Sequence, residues 1–286
     1  MSSPLVSLIT SLLRSDHFSE NQLPGITLLQ CYRSIARTPI LYNQPGIVLI
    51  AQGRKVGYLG DKEIHYNPGQ YLVQTLPLPF ECETFASAQE PLLGLVVRIE
   101  PVLLMELVHD MGAVATKAEP SPLASVAMTD AMFEAAERLL KTLHSPQETR
   151  VMGASRVREL IYEALKGEQG PALRAMVQGQ GHYARITQVL SQMRENIEQD
   201  ITVEHLARGA NMSVSTFHQH FKDVALCSPL QYLKRLRLLK AQLLLTQDRY
   251  NVGQAAMAVG YKSVNQFSRD YKRYFGLTAN DERQSA

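Results

Sequence analysis

The sequence predicts an α+β chain: a strand-rich N-terminal part that forms a small barrel or sandwich, helices after it, and an all-α C-terminal part. The last part carries two helix-turn-helix motifs joined by a linker helix. Three observations carry this reading. SVSTFHQHFK at Ser213–Lys222 has an echo, SVNQFSRDYK, at Ser263–Lys272, offset by 50 positions. Between the copies, Leu230–Thr246 runs as LQYLKRLRLLKAQLLLT without Gly or Pro. From Ile26 to Glu100 the chain breaks into short apolar or alternating runs punctuated by Gly, Pro, Asn and Asp, which is how strands and turns are written.

A length of 286 residues suggests two domains, each able to bury a core. The hydrophobic share of 45% and charged share of 20% are those of an ordinary soluble protein. Net charge is only +2, but it is unevenly spread. Residues 181–286 hold 14 Lys and Arg against 9 Asp and Glu, whereas residues 1–180 hold 15 against 18. A basic C-terminal part on a mildly acidic N-terminal part suits a nucleic-acid-binding domain attached to one that does not bind nucleic acid. Taken alone, an excess of this size is also ordinary surface solvation.

Cys31, Cys82 and Cys227 are scattered and odd in number, with no CxxC, so neither a disulfide framework nor a cysteine-rich zinc site is indicated. The opening MSSPLVSLITSLLRSDHF lacks the basic lead and unbroken apolar core of a signal peptide. Leu5, Leu8, Ile9, Leu12 and Leu13 instead mark an amphipathic helix within residues 1–25. The longest apolar stretch, PLLGLVVRIEPVLLMELV, is broken by Arg98 and Glu100, short of a membrane span. A cytoplasmic protein is expected.

Residues 26–100 supply six or seven strands: ITLLQCYR, GIVLIAQG, KVGYLG, KEIHYN, QYLVQT, FECETF and LGLVVRI. Their number and spacing fit a sandwich or small barrel. His65 is the sole His of this region, so a metal site would need Glu81, Glu83 and His65 to meet in space. In PFECETF, alternation puts Phe80, Cys82 and Thr84 on one face. Cys82 is then either a small buried hydrophobe or a reactive, effector-contacting thiol at a pocket wall. Its sequence neighbours Glu81 and Glu83 are acidic, and nothing local supplies the cationic group that would activate a thiol.

Residues 101–180 are expected to be helical, in PVLLMELVHDMG, MTDAMFEAAERLLKTLHS and RVMGASRVRELIYEALKG, with Gly112, Pro146 and Gly167 at their ends. The boundary falls in VQGQGHYA, Val177–Ala184, before the C-terminal domain of residues 181–286. That domain opens with a helix over Ala184–Gln199, packing through Ile186, Val189, Leu190, Met193 and Ile197.

In the two copies, a short helical run and a tight connection precede Ser213 and Ser263, which are natural N-caps. Val214, Phe217 and Phe221 make an inward stripe in the first copy, and Val264, Phe267 and Tyr271 in the second. Ser228-Pro229 starts the linker helix with Pro where its missing N–H costs little. A rod of this length holds two reading helices about one DNA turn, roughly 34 Å, apart.

SVSTFHQHFK, SPLQYLKRLRLLKAQLLL and AAMAVGYKSVNQFSRDYKRYFG together resemble the DNA-binding domain of AraC/XylS-type transcription regulators, a bacterial family, over about Ile201–Leu277. LGDKEIHYNPGQYLV resembles the cupin-like sensor domain placed ahead of many such domains. RTPILYNQPGIVLIAQGRKVGYLG with LPLPFECET is similar to one subgroup of them. The resemblance implies a cupin-like barrel, base readout by Ser215, Thr216, His218, Gln219, Asn265, Gln266 and Arg269, and no catalysis or cofactor. Many members carry Arg where Gln219 stands, so the first helix is expected to prefer adenine or to read less directly. Phosphate contacts are expected from Ser213, Lys222, Arg235, Lys262, Ser263, Lys272 and Arg273. His218 and His220, two apart on a helix, share no face for a zinc ion.

The implied partners are promoter DNA, RNA polymerase, a small effector and a second copy of the chain, with activation as the expected outcome. Leu139, Leu140 and Leu143 either pair with that second copy or pack on the barrel. The subgroup points to an aldehyde or other electrophile as effector with Cys82 as the residue to test, and the wider family to a sugar. Two rivals are a metal-dependent cupin enzyme with a DNA-binding tail, which lacks a His cluster, and an alkyl-accepting repair protein, which lacks a cysteine cluster.

Overall fold

The structure, a computed structural model, describes residues 3–14, 23–112, 120–178 and 181–285. The chain divides into two compact units, principally at Gln180/Gly181. The expected boundary stretch Val177–Ala184 spans this point, and its residues 179–180 lie outside the described ones, as do residues 15–22 of the expected N-terminal helical segment.

The first unit begins with α1 (Pro4–Arg14), which buries Leu5, Ile9 and Leu12 along one face. Strands β1 (Ile26–Cys31), β2 (Ile35–Ile40), β3 (Gly46–Gln52), β4 (Arg54–Leu59), β5 (Lys62–Tyr66), β6 (Gln70–Gln74), β7 (Phe80–Phe85) and β8 (Leu92–Arg98) follow. After α2 (Pro101–Met111) comes a further strand, β9 (Leu123–Ala127), and then α3 (Asp130–Thr142), α4 (Pro146–Lys166) and α5 (Gly170–Val177). The strands form a five-stranded sheet ordered β1-β8-β3-β6-β9 and a four-stranded sheet ordered β2-β7-β4-β5.

Burial explains the wording of each strand. Along β3, Gly46–Ala51 are all buried, because one face of the larger sheet meets helices and the opposite face is covered too. Ile47, Leu49, Tyr71, Val73, Leu95 and Val97 join Leu5, Ile9, Leu104, Met132, Leu139 and Leu160 in one core. Val48, Ile50 and Leu72, on the alternate face, are buried as well. By contrast, β7 alternates buried and half-buried residues, with Phe80, Cys82 and Thr84 inward as expected. Gly94 sits where β8 passes β3 beside a bulge at Ile50/Gln52; a Cβ there would lie 2.6 Å from the Leu49 carbonyl oxygen.

Two strands were not expected. β2, IARTPI, is an edge strand whose first three residues are exposed and which carries Pro39, so it shows little alternation. β9 corrects the reading of residues 101–180 as helical: LASVA pairs antiparallel with β6, Tyr71 opposite Val126, and forms an edge of the five-stranded sheet. Leu139, Leu140 and Leu143 are buried within their own unit, which removes them as a dimer surface.

The second unit is helical: α6 (Gly181–Glu195), α7 (Val203–Gly209), α8 (Val214–Ala225), α9 (Pro229–Thr246), α10 (Val252–Ala258), α11 (Val264–Phe275) and α12 (Ala279–Ser285). Ile186, Val189, Leu190 and Met193 are buried on α6; Ile197 lies beyond its end and is half-buried. Among the described residues no helix is long and apolar enough to cross a membrane.

Candidate nucleic-acid interface

α7 with α8, and α10 with α11, are the two helix-turn-helix units, and local chemistry sets both. Ser213 accepts from the Thr216 N–H at 3.2 Å and Ser263 from the Gln266 N–H at 3.3 Å, satisfying donors that a helix start leaves open. Both α8 and α11 span 12 residues and end on a left-handed residue, Leu226 or Gly276. The 50-residue offset holds for α8 and α11 but not for the helices before them. α7 and α10 are offset by 49, so the second turn, Val259–Ser263, is one residue longer than Ala210–Ser213.

Inside, Phe217 packs against Phe221 with the rings tilted by 58° and centroids 5.5 Å apart, and Phe267 against Tyr271 at 53° and 5.4 Å. All four rings are fully buried. Val214 and Val264 do not complete these stripes: each is 40% exposed. As the first helical residue after the cap, each stands at the open end of its helix, ahead of the turn that the aromatic ring buries.

α9 carries both units. Ser228 and Gln231 form a reciprocal capping box at its start. Tyr232 then packs edge-on against Phe221 at 5.8 Å, while Leu238, Ala241, Leu244 and Leu245 enter the core around Phe267 and Tyr271. Its 18 residues span about 27 Å at roughly 1.5 Å per residue.

Every expected base reader lies on the exposed side: Ser215, Thr216, His218 and Gln219 on α8, and Asn265, Gln266 and Arg269 on α11. They differ in readiness. Arg269 has no hydrogen bond or ion pair among the described residues, whereas the Gln219 amide donates to Asp223 at 2.8 Å and must release it to meet a base. The Ser213 hydroxyl also lies 2.8 Å from the Thr216 hydroxyl.

Among the expected phosphate contacts, Lys222, Lys272 and Arg273 are exposed, as are the two caps Ser213 and Ser263, while Arg235 is half-buried. Lys262 is paired with Asp200 at 2.7 Å, but both side chains are more than 80% exposed. Such a pair is weak, and a phosphate can compete with Asp200 for the ammonium. His220 stacks on His182 with centroids 3.7 Å apart.

Polar contacts that periodicity did not reveal hold the second unit in place. Lys234 of α9 reaches buried Asp270 of α11 at 2.6 Å, and the Arg237 guanidinium donates to the Ile197 and Gln199 carbonyls at 2.8 Å each. Asp270 stands in the second copy as one charged residue between Arg269 and Lys272, and nothing in its spacing marks it as buried.

In the N-terminal unit, Cys82 is 4% exposed with Sγ 3.1 Å from the hydroxyl of buried Tyr66. His65 is exposed beside Glu63 at 3.5 Å, and Glu83 instead accepts from Tyr58 at 3.0 Å. Among the described residues no three His, Cys, Asp or Glu side chains gather as a metal site.

Comparison with known proteins agrees with this division. The chain matches a helix-turn-helix domain family over residues 206–285. The regulator GbdR of Pseudomonas aeruginosa is 30% identical over 136 residues, which are 47% of this chain and 37% of that protein. The transcriptional activator RhaS of Klebsiella pneumoniae is 33% identical over 101 residues, 35% of this chain and 36% of its own. The matches thus span little more than a third of these relatives' length. In fold, a ToxT structure from Vibrio cholerae superposes with a TM-score of 0.64 at 10% identity, over 91% of this chain and 97% of that one. The AraC-type transcriptional regulator N-terminus family matches residues 22–172, more than half of the sequence, and the chain belongs to the AraC-type transcriptional regulators.

Proposed function

We propose that this chain is a sequence-specific DNA-binding transcription regulator whose two reading helices, α8 and α11, enter successive major grooves of one promoter site. One observation carries the reading. Two Ser-capped helices of equal length, each with a buried aromatic stripe and an exposed polar face, are mounted on the two halves of one continuous helix about 27 Å long. That length suits reading heads roughly one DNA turn, about 34 Å, apart. Base readout falls to Ser215, Thr216, His218, Gln219, Asn265, Gln266 and Arg269. Phosphate contact falls to Ser213, Lys222, Arg235, Lys262, Ser263, Lys272 and Arg273. The regulator works in the cytoplasm, where promoter DNA and RNA polymerase are met.

The N-terminal unit is the sensor, and its residues 26–127 hold the strands that would enclose an effector. Activation is the direction favoured, since RhaS, one of the relatives, is an activator. For the effector, an aldehyde or other electrophile acting on Cys82 is one reading and a sugar is the other. The burial of Cys82 and its contact with Tyr66 support a packing role for the thiol, and so favour an effector bound without covalent capture.

The test is footprinting of the promoters flanking the gene together with a reporter assay, on wild type and Cys82→Ser, with small aldehydes and sugars. A footprint present in both proteins supports the DNA-binding reading. An aldehyde response lost only in Cys82→Ser would restore the reactive thiol, and a sugar response kept in both would assign the pocket elsewhere in the barrel.

A further inference from the structure

The two helix-turn-helix units meet at a junction around Arg237. This residue stands at the middle of α9, between Tyr232, Leu233 and Leu236 on one side and Leu238, Ala241 and Leu244 on the other. Its Nε donates to the Ile197 carbonyl and its Nη2 to the Gln199 carbonyl, both at 2.8 Å. Those carbonyls belong to the connection that leads from α6 into α7, hence into the first unit.

The second unit presses on the same connection from the other side. Its turn carries Gly260 at φ +81°, and a Cβ there would lie 2.5 Å from the Glu198 carbonyl oxygen and 2.9 Å from Arg237 Nη2. Lys262, two residues on, reaches Asp200 at 2.7 Å. Residues 197–200 are therefore held by the linker helix and by the second turn at once. Two residues further, Thr202 caps α7 by accepting from the His205 N–H at 3.2 Å.

A cleft of about 290 Å³ opens beside Arg237, lined by the cations Lys234 and Lys262, the carboxylates Asp200 and Asp270, and the base reader Gln266. The two ammoniums are paired with the two carboxylates, Lys234 with Asp270 and Lys262 with Asp200, and the arginine is spent on backbone carbonyls. This is the chemistry of a brace, not of an anion site. The guanidinium suits it because its planar fork can serve two acceptors at once; an ammonium is a point donor.

We propose that Arg237 is a positioning residue that locks the two helix-turn-helix units at one separation, so that the protein accepts one spacing between its two half-sites. The inference rests on the DNA-binding reading above. Without the brace, the second unit keeps its own core around Phe267 and Tyr271, and the first keeps Phe217, Phe221 and Tyr232, but their mutual placement loosens.

The experiment uses the full chain and a DNA site selected from a random pool. Between the two protected major-groove segments, one or two base pairs are inserted or removed. Each base pair displaces a half-site by about 3.4 Å and turns it by about 35°. Wild type should lose about tenfold in affinity per base pair. Arg237→Lys, which keeps the charge but not the fork, should bind the original spacing nearly as well and flatten the series to about threefold or less.

The same profile in Arg237→Lys and wild type overturns the proposal. So does a uniform loss at all spacings with a lower salt slope in Arg237→Met, which would make Arg237 a phosphate contact. A second measurement does not depend on DNA: spin labels on Ser215→Cys and Asn265→Cys, in a Cys31→Ser background, should give one narrow distance in wild type and a broad one in Arg237→Met. Equal widths contradict the brace. If wild type protects no DNA while the labels show the narrow-to-broad change, the DNA-binding reading fails and the brace stands as a structural element alone.

Discussion

Lys234 on the linker helix donates to Asp270 on the second reading helix at 2.6 Å, and Asp270 is nearly buried while Lys234 keeps partial access to water. The Tyr261 hydroxyl donates to the other carboxylate oxygen at 3.4 Å. The contact ties the back of α11 to α9, and so sets the direction in which Arg269, the neighbouring residue, points outward. Replacing Asp270 by Asn should cost about 1–3 kcal/mol in urea unfolding, because Lys234 can turn to solvent while the amide meets the remaining donors poorly. Lys234→Met with Asp270→Leu should recover most of that loss. A loss in the double variant equal to the sum of those in Lys234→Met alone and Asp270→Leu alone would show that the pair is not coupled.

Gly260 is the glycine on which the second turn depends. Its φ of +81° and the 2.5 Å approach of the Glu198 carbonyl leave no room for a Cβ. Gly260→Ala should lower stability by about 2–4 kcal/mol, seen as a lower melting temperature with unchanged helical content. The equivalent position of the first turn is Asn211, at φ +52°, where Asn211→Gly should be neutral or mildly stabilising.

Arg269 and Lys272 sit on one helix and should fail differently. Arg269→Ala should relax sequence preference at one position, by about 1–3 kcal/mol for a lost Arg–guanine pair. Lys272→Ala should weaken every sequence alike and lower the salt slope by about one. Selection of binding sites from random DNA with each variant measures both. Identical losses in the two variants would mean that the roles are misassigned.

Tyr71 on β6 offers a pH test of the N-terminal core. Burial, then the nearby Glu168 and Glu163, push its phenol up to about 12 from the usual 10.0. A raised pKa in the fold means that the folded state holds the proton more tightly. Its contribution is therefore complete below pH 10 and lost as pH rises toward 12. Tyr71→Phe should lose less stability across that window, by about 2–3 kcal/mol, in urea unfolding followed at several pH values. Parallel curves for the two proteins would place the alkaline sensitivity on other groups.

Much of this architecture was written locally. The Ser caps, the aromatic stripes at Phe217/Phe221 and Phe267/Tyr271, and the unbroken α9 follow from short-range rules, so the sequence showed them plainly. The seven runs read as strands all proved to be strands for the same reason. β2 was hidden because its first three residues are exposed and Pro39 interrupts its pattern, and β9, LASVA, because it is defined by its partner β6, about fifty residues earlier. Val214 and Val264 misled because periodicity gives a direction around the helix but not the distance from its open end. Lys234–Asp270 and Arg237 with Ile197 and Gln199 join residues about forty apart, and no spacing rule announces such contacts. Leu139, Leu140 and Leu143 show the same limit: an apolar stripe says that something covers it, and the fold shows that its own unit does.

The most direct test of the central claim is a hydroxyl-radical footprint, with methylation interference, on a DNA site selected by the full chain. Two protected major-groove segments on one face of the duplex, about 10–10.5 base pairs apart, are the predicted result. In that pattern Gln219→Ala and His218→Ala should alter one segment and Asn265→Ala and Arg269→Ala the other. A single protected segment that is indifferent to the α11 substitutions, or no protection at all, would contradict the account.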